Sequence, residues 1–184
     1  YDGAGRRISK TSLRKNVNSD DWTLEQITHY TGIGSEIRKE YHNGELQSTK
    51  VVVNMPQGLG RYGIENADGM AKGDEFYLKN HLGSTMMVAQ VSSTNASEPA
   101  KVAAAYDYRA FGEQVTLAKS ADKVTENFTG KEKDDETELN YFGARYLDPM
   151  LGVWTSVDPK RQFASPYLYA GNGYNPVNGV DPDG

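Results

Sequence analysis

Hydrophobic and polar positions in this chain alternate in short bursts, and four of the bursts are centred on turn residues. Residues 1–11 put a Gly-rich turn, Gly3 and Gly5, ahead of alternating polar and apolar positions. Residues 34–53 carry Ile37, Lys39 and Tyr41 into Asn43-Gly44. That dipeptide is the strongest short hairpin signal, because both residues tolerate the positive φ of a type I′ turn. Residues 75–89, turning at Asn80-His81-Leu82-Gly83, and residues 105–115, turning at Phe111-Gly112, repeat the plan. Softer segments lie between. Residues 16–25 are polar and acidic, residues 54–73 read as loop around Pro56 and five glycines, and residues 92–100 read as a long hairpin connection. Residues 116–125 have room for one short helical turn. Tyr1-Asp2 with Gly5 and Tyr106-Asp107 with Gly112 are loose copies of one element. A single hairpin cannot bury its own face and has to stack on neighbours, so the pattern predicts an all-β chain of antiparallel β-hairpin repeats.

Composition sharpens this picture. Of 184 residues, 37% are hydrophobic, 12 are Tyr, 19 are Gly and seven are Pro. Aromatics on a half-buried pleated surface account for that mixture better than helices do. The core is thin for the length, which predicts faces that pack against something beyond these residues. The net charge of −5 is spread without a basic stripe, which argues against a nucleic-acid partner. The chain has no cysteine, and so no disulfide framework, thiolate nucleophile or Cys-based zinc site. No apolar run approaches the roughly 20 residues of a membrane span. No export signal opens the chain, so any such signal lies upstream or is absent. The start at Tyr1-Asp2, in mid-pattern, reads as a piece of a larger protein.

From residue 128 the sequence becomes specific. It contains Gly130-Lys131-Glu132, Asp135-Glu136-Thr137, Tyr141-Phe142-Gly143-Ala144-Arg145-Tyr146, Asp148-Pro149, Gly152 and Trp154. It continues with Asp158-Pro159, Tyr167-Leu168-Tyr169, Gly171-Asn172, Asn175-Pro176-Val177-Asn178 and Asp181-Pro182 followed by Gly184. This ordered set resembles the RHS-repeat-associated core that ends RHS and YD-repeat proteins. Upstream, residues 77–85 are similar to the family's segment ending His-Leu-Gly-Ser-Thr, and Tyr1-Asp2 with Gly5-Arg6 is similar to a YD repeat. The resemblance implies a shell segment over residues 1–127 and a core over 128–184, folded inward as a plug. It also implies an autoprotease in the core, which cuts loose a downstream toxic effector, and a secreted or cell-surface bacterial location. The partners it implies are the upstream shell and that downstream segment. Two aspartates carry the cleavage in the family, each opening an Asp-Pro-x-Gly-Leu type motif. They correspond here to Asp158 and Asp181.

Proline keeps the residue before it out of the α region, so each Asp of the three Asp-Pro pairs sits in a turn or extended segment. Any one of them can be a simple turn cap. Asp158 and Asp181 carry a further expectation: two carboxylates brought close cannot both ionise cheaply, so one can hold a proton and polarise a carbonyl while the other activates water. Twenty-two residues separate them, enough for the chain to leave and return. The sequence departs from the motif in two places. Lys160-Arg161-Gln162-Phe163 stands where Gly-Leu is usual after Asp158, and the second motif stops at Gly184, which puts the bond to be cut beyond it. Glu138 and Leu147 also stand where the family favours Gly and Tyr.

Other chemistry is weaker. His29, His42 and His81 lack ligand spacing, and the acidic run at 132–136 lacks a calcium loop's alternation, so no metal and no cofactor is expected. Trp154, Tyr141, Phe142, Tyr146, Tyr167 and Tyr169 read as a packed plug, with Arg145 stacking or pairing locally near Asp148. The alternative to the protease is a non-catalytic extracellular structural module, its sheet and aromatics holding glycans or cell-surface proteins.

Overall fold

The computed structural model describes residues 1–63, 73–92, 97–119, 122–170, 176–182 and 184. Their regular structure is antiparallel β, and the helical pieces among them are two 3₁₀ turns, Pro56–Gly58 and Phe128–Gly130. No helix of the described residues is long and apolar enough to cross a membrane. The chain divides into two compact units, residues 1–76 with 90–100 and residues 77–89 with 101–184.

The first unit is a meander of β1 (Ser9–Lys15), β2 (Trp22–Tyr30), β3 (Ser35–His42), β4 (Glu45–Asn54), β5 (Gly60–Tyr62) and the opening residues of β6 (Glu75–Lys79), each strand paired with the next. Asn43 and Gly44 turn β3 into β4 with φ of 51° and 83°, as the Asn-Gly signal predicts. Residues 16–25 differ from the expectation. The chain reverses at 16–21, where the Asn16 N–H donates to the Asp21 carbonyl at 3.0 Å, and β2 begins at Trp22. Residues 54–63 are likewise more ordered than a loop, holding a 3₁₀ turn and β5; positions 64–72 lie outside the described residues. Gly60, which reads as a loop former in the sequence, is a strand residue whose missing side chain lets β6 approach: a Cβ there would lie 1.9 Å from the Glu75 carbonyl oxygen.

Register explains how this unit manages with few apolar residues. Thr28 faces Arg38, Asn54 faces Arg61, and Arg61 faces Glu75 across neighbouring strands. Directly opposed residues share a face, so one face gathers a polar row. Its charges are buried as pairs, Arg38 with Glu36 at 2.9 Å and Arg61 with Glu75 at 2.6 Å. Buried hydrophobic side chains described in this unit are Val52 and Met55. The thin core expected from composition is localised here.

The second unit holds the rest of β6, then β7 (Thr85–Gln90) but for its last residue, β8 (Lys101–Tyr108) and β9 (Gln114–Ala118), paired in sequence order. A separate sheet follows: β10 (Glu132–Asp134), β11 (Leu139–Tyr141), β12 (Tyr146–Asp148) and β13 (Val153–Trp154). The helical turn expected in 116–125 is absent among the described residues, because β9 continues to Ala118 through a register shift opposite Ala105 and Tyr106. The connection expected at 92–100 has positions 93–96 outside the described residues. One core cluster joins Tyr77, Val88, Ala104, Tyr106 and Val124. A second, around the small sheet, joins Phe128, Phe142, Leu147, Trp154 and Tyr169, with Tyr108 against it. The 109–112 turn is keyed into this second cluster, since a Cβ on Gly112 would lie 2.4 Å from the Phe128 ring, and one on Gly152 would lie 2.7 Å from the Phe111 ring.

The turn from β10 to β11 gives a physical reason for the glycine the family favours at position 138. Glu138 has φ of 60° and donates its N–H to the Asp134 carbonyl at 2.7 Å. A left-handed conformation costs an L residue about 1–2 kcal/mol, which glycine avoids at some loss of chain entropy. Glu138→Gly is therefore expected to raise stability by about 0.5–1 kcal/mol, read from the urea midpoint.

Candidate functional site

Asp158 opens a turn that its own carboxylate closes. Lys160 N–H donates to Oδ1 at 2.8 Å and Gln162 N–H to Oδ2 at 3.2 Å, while the Asp158 amide donates to the Pro166 carbonyl at 3.0 Å. This is the turn cap that Asp-Pro predicts. Asp148 makes another, accepting from the Met150 and Leu151 amides at 2.9 and 3.1 Å.

Between β11 and β12 a tight reversal, closed by Phe142 N–H on the Arg145 carbonyl at 3.0 Å, projects the Arg145 side chain. Its guanidinium lies 4.3 Å over the Trp154 ring and donates from Nη1 to the Pro166 carbonyl at 3.3 Å. Its Nη2 lies 4.0 Å from Asp158 Oδ1 and 3.2 Å from Asp181 Oδ2. One nitrogen therefore touches both aspartates, which bounds how far apart they can be. Asp181 Oδ1 accepts the Gly184 N–H at 2.9 Å. Both carboxylates, Arg145, Lys160, Phe163 and Gly184 line a single cavity of about 480 Å³.

The electrostatics follow from these contacts. Burial works to raise the Asp158 carboxyl, but the Lys160 and Gln162 amides and the Arg145 charge outweigh it, and its pKa lies below the ordinary carboxylate value. Nearby Tyr169 is pushed up to about 12, first by burial and then by the negative charge of Asp181. For Asp158 the folded pKa is below the unfolded value of about 3.9, so its contribution to stability is present above that value and lost as pH falls through the folded pKa. The Tm difference between wild type and Asp158→Asn is expected to be widest near neutral pH and to close as pH is lowered from about 5 toward 2.

Arg145 is the residue that sequence reasoning missed as a site member. It stacks as expected, but on Trp154, and the partners it finds are the distant Asp158 and Asp181 instead of neighbouring Asp148. A lone arginine inside an aromatic run was the available signal, since a guanidinium buried against rings has to find carboxylates. The aromatic run splits: Phe142, Trp154 and Tyr169 are buried at ring separations of 5.1–5.7 Å, Tyr141 and Tyr146 pair at 5.1 Å, and Tyr167 is exposed. Histidines 29 and 42 lie in the first unit, on β2 and β3. His81 Nε2 donates to the Val177 carbonyl at 2.7 Å. Positions 171–175, part of the motif run, lie outside the described residues.

No known family model matches the chain. Over its whole length it is 31% identical to Salivary gland surface protein 1 of Aedes aegypti, covering 5% of that protein. It is 29% identical over its whole length to the tRNA3(Ser)-specific nuclease WapA of Bacillus spizizenii, covering 7%. Its fold matches the crystal structure of TcdB2-TccC3 without hypervariable C-terminal region at a TM-score of 0.78 and 23% identity, over all of this chain and 9% of that one. The chain thus spans less than a tenth of each of these relatives. The fold defines a class of protein built from stacked antiparallel β-hairpins. With the ordered motifs from Gly130 to Gly184, the chain resembles the RHS/YD-repeat proteins in sequence as well as in fold.

Proposed function

We propose that this chain is the C-terminal part of a secreted RHS/YD-repeat encapsulating shell, residues 1–127 contributing hairpin repeats and 128–184 the core. In this reading the core is a self-cleaving protease that hydrolyses the chain just beyond Gly184 and frees a downstream effector. The observation that carries the reading is the convergence of Asp158 and Asp181 on Arg145 Nη2 in one cavity that also holds Gly184. Asp158, kept ionised by amide donors and Arg145, is suited to take a proton from water as that water adds to the carbonyl carbon. Arg145, which stays charged, offsets the negative charge that develops on the carbonyl oxygen. The C–N bond then breaks and the leaving nitrogen takes up a proton. Asp181 holds the Gly184 amide, which fixes the turn that leads into the bond, and its carboxylate relays to the leaving nitrogen the proton that Asp158 takes from water.

Relatives named as a tRNA nuclease, and as a complex whose crystal form lacks a hypervariable C-terminal region, fit a shell stretch followed by a variable effector. The partners in this reading are the rest of the parent chain on either side. The test is to express the parent chain through its natural continuation past Gly184 and look for a fragment that begins just beyond that residue. Appearance of the fragment in wild type and its loss in Asp181→Asn supports the proposal. An uncut wild-type chain refutes it in favour of a non-catalytic binding module.

A further inference from the structure

The last described residues do not hang from the core; they are held to it from three separate segments. His81, in the turn between β6 and β7, donates to the Val177 carbonyl at 2.7 Å. Arg145 reaches Asp181 at 3.2 Å. Lys131, at the end of the 3₁₀ turn that opens the small sheet, donates from Nζ to the carbonyl of Pro182. The same ammonium lies 5.4 Å over the Phe142 ring. Phe142 is also the wall behind Gly184, since a Cβ on that glycine would lie 2.9 Å from the Phe142 Cβ and 3.1 Å from the Arg145 amide nitrogen. Gly184 has φ of 85° and donates its N–H to Asp181 Oδ1 at 2.9 Å. Asp181, Pro182 and Gly184 are therefore each held against the core.

We infer that Lys131 is a positioning residue that holds the Asp181–Gly184 turn in register with Arg145 and Asp158, without touching the reacting atoms itself. The three side chains that hold the tail divide the work. Arg145 binds the Asp181 carboxylate within the charged site, and His81 grips the tail four residues ahead of Asp181. Lys131 grips the turn between the carboxylate and the glycine. Its donor meets a backbone carbonyl, so the contact fixes where the chain runs whichever side chain occupies position 182. Stacking on Phe142 accounts for the long lysine stem reaching that carbonyl in one geometry: a cation over a ring face loses little by being held there. The inference deepens the self-cleavage reading and rests on it for its catalytic consequence, while the placement of the turn stands apart from whether any bond is cut.

The experiment compares wild type, Lys131→Met and Lys131→Arg in the full parent chain by amide hydrogen exchange of the peptide spanning 181–184, with the 148–152 turn as internal control. A charged hydrogen bond of ordinary strength predicts exchange of the terminal turn roughly 10- to 100-fold faster in Lys131→Met. The control turn should be unmoved, and Lys131→Arg should restore most of the protection, because a guanidinium can both donate to the carbonyl and stack on the ring. Self-cleavage measured on the same samples should slow by up to about 100-fold in Lys131→Met and recover in Lys131→Arg. Unchanged exchange at 181–184, or loss in Lys131→Arg equal to that in Lys131→Met, overturns the role of Lys131. A wild-type chain that is not cut, or an Asp181→Asn chain cut as fast as wild type, overturns the protease reading instead, and the exchange comparison still decides the positioning role.

Discussion

Asp158→Asn and Asp181→Asn, each introduced into the parent chain with its natural continuation, are expected to slow cleavage beyond Gly184 by about 10²–10⁴-fold, the range for loss of a positioned proton-transfer group. Asn keeps the main contact of each turn, because its side-chain oxygen can still accept the Lys160 amide at position 158 or the Gly184 amide at position 181, while at 158 the Gln162 amide loses its acceptor. What it removes is the charge that Arg145 holds and the capacity to take a proton. Fold and catalysis are thereby separated, and the far-ultraviolet spectrum should not change while cleavage is lost. The two substitutions share one guanidinium, so their effects should not add: the double variant should be little slower than the worse single. Cleavage at the wild-type rate in either variant, timed by gel densitometry, removes that carboxylate from the mechanism.

Trp154→Ala is expected to cost about 3–5 kcal/mol of stability, the range for truncating a buried aromatic. Trp154 is 1% exposed and meets Phe142 edge-on at 5.1 Å and Tyr169 at 5.4 Å. The same ring carries the Arg145 guanidinium at 4.3 Å, a contact worth up to about 2 kcal/mol when desolvated. The substitution therefore takes away packing and also frees the charge that gathers the aspartates, and cleavage should fall with it. Trp154→Phe separates the two effects. It keeps a ring under Arg145 and removes an indole N–H that finds no hydrogen-bond partner among the described residues, so its cost should be well below that of Ala. A guanidinium chloride midpoint for the three proteins reads the difference, and equal midpoints for Ala and wild type would mean that this ring does not hold the second unit together.

The hairpins of the fold were legible where turn chemistry is local. Asn43-Gly44 and Asn80 to Gly83 announce their reversals because the residues that adopt those angles are few. β5 was not legible because glycine and arginine give hydrophobic alternation no signal, and what fixes it is the carboxylate and backbone of Glu75, met later in the chain; the start of β2 was not legible because it follows a polar, acidic run. The site divides in the same way. Asp158 and Asp181 could be picked out by the proline that follows each, which sets their backbone, and by the family motif. Arg145 could not, because its role depends on distances to residues 13 and 36 positions away, while its nearest acidic neighbour in sequence, Asp148, is occupied capping its own turn. Glu138 illustrates the reverse case, where a departure visible in sequence gained its meaning only from the backbone angle the fold imposes there.

The charged row inside the first unit has a consequence for how its strands align. A meander with so few buried aliphatic residues has weak means of rejecting a one-step slide between partners, and such a slide sends every side chain of the strand to the opposite side. With Arg61 on β5 facing Glu75 on β6, slippage between those two strands would part acid from base while each was still hidden from water, whereas Glu36 and Arg38 share β3 and move together. A separated charge of that kind costs several kcal/mol. Mispairing is thus penalised by ionic mismatch, in a stretch where greasy complementarity is too sparse to set the alignment.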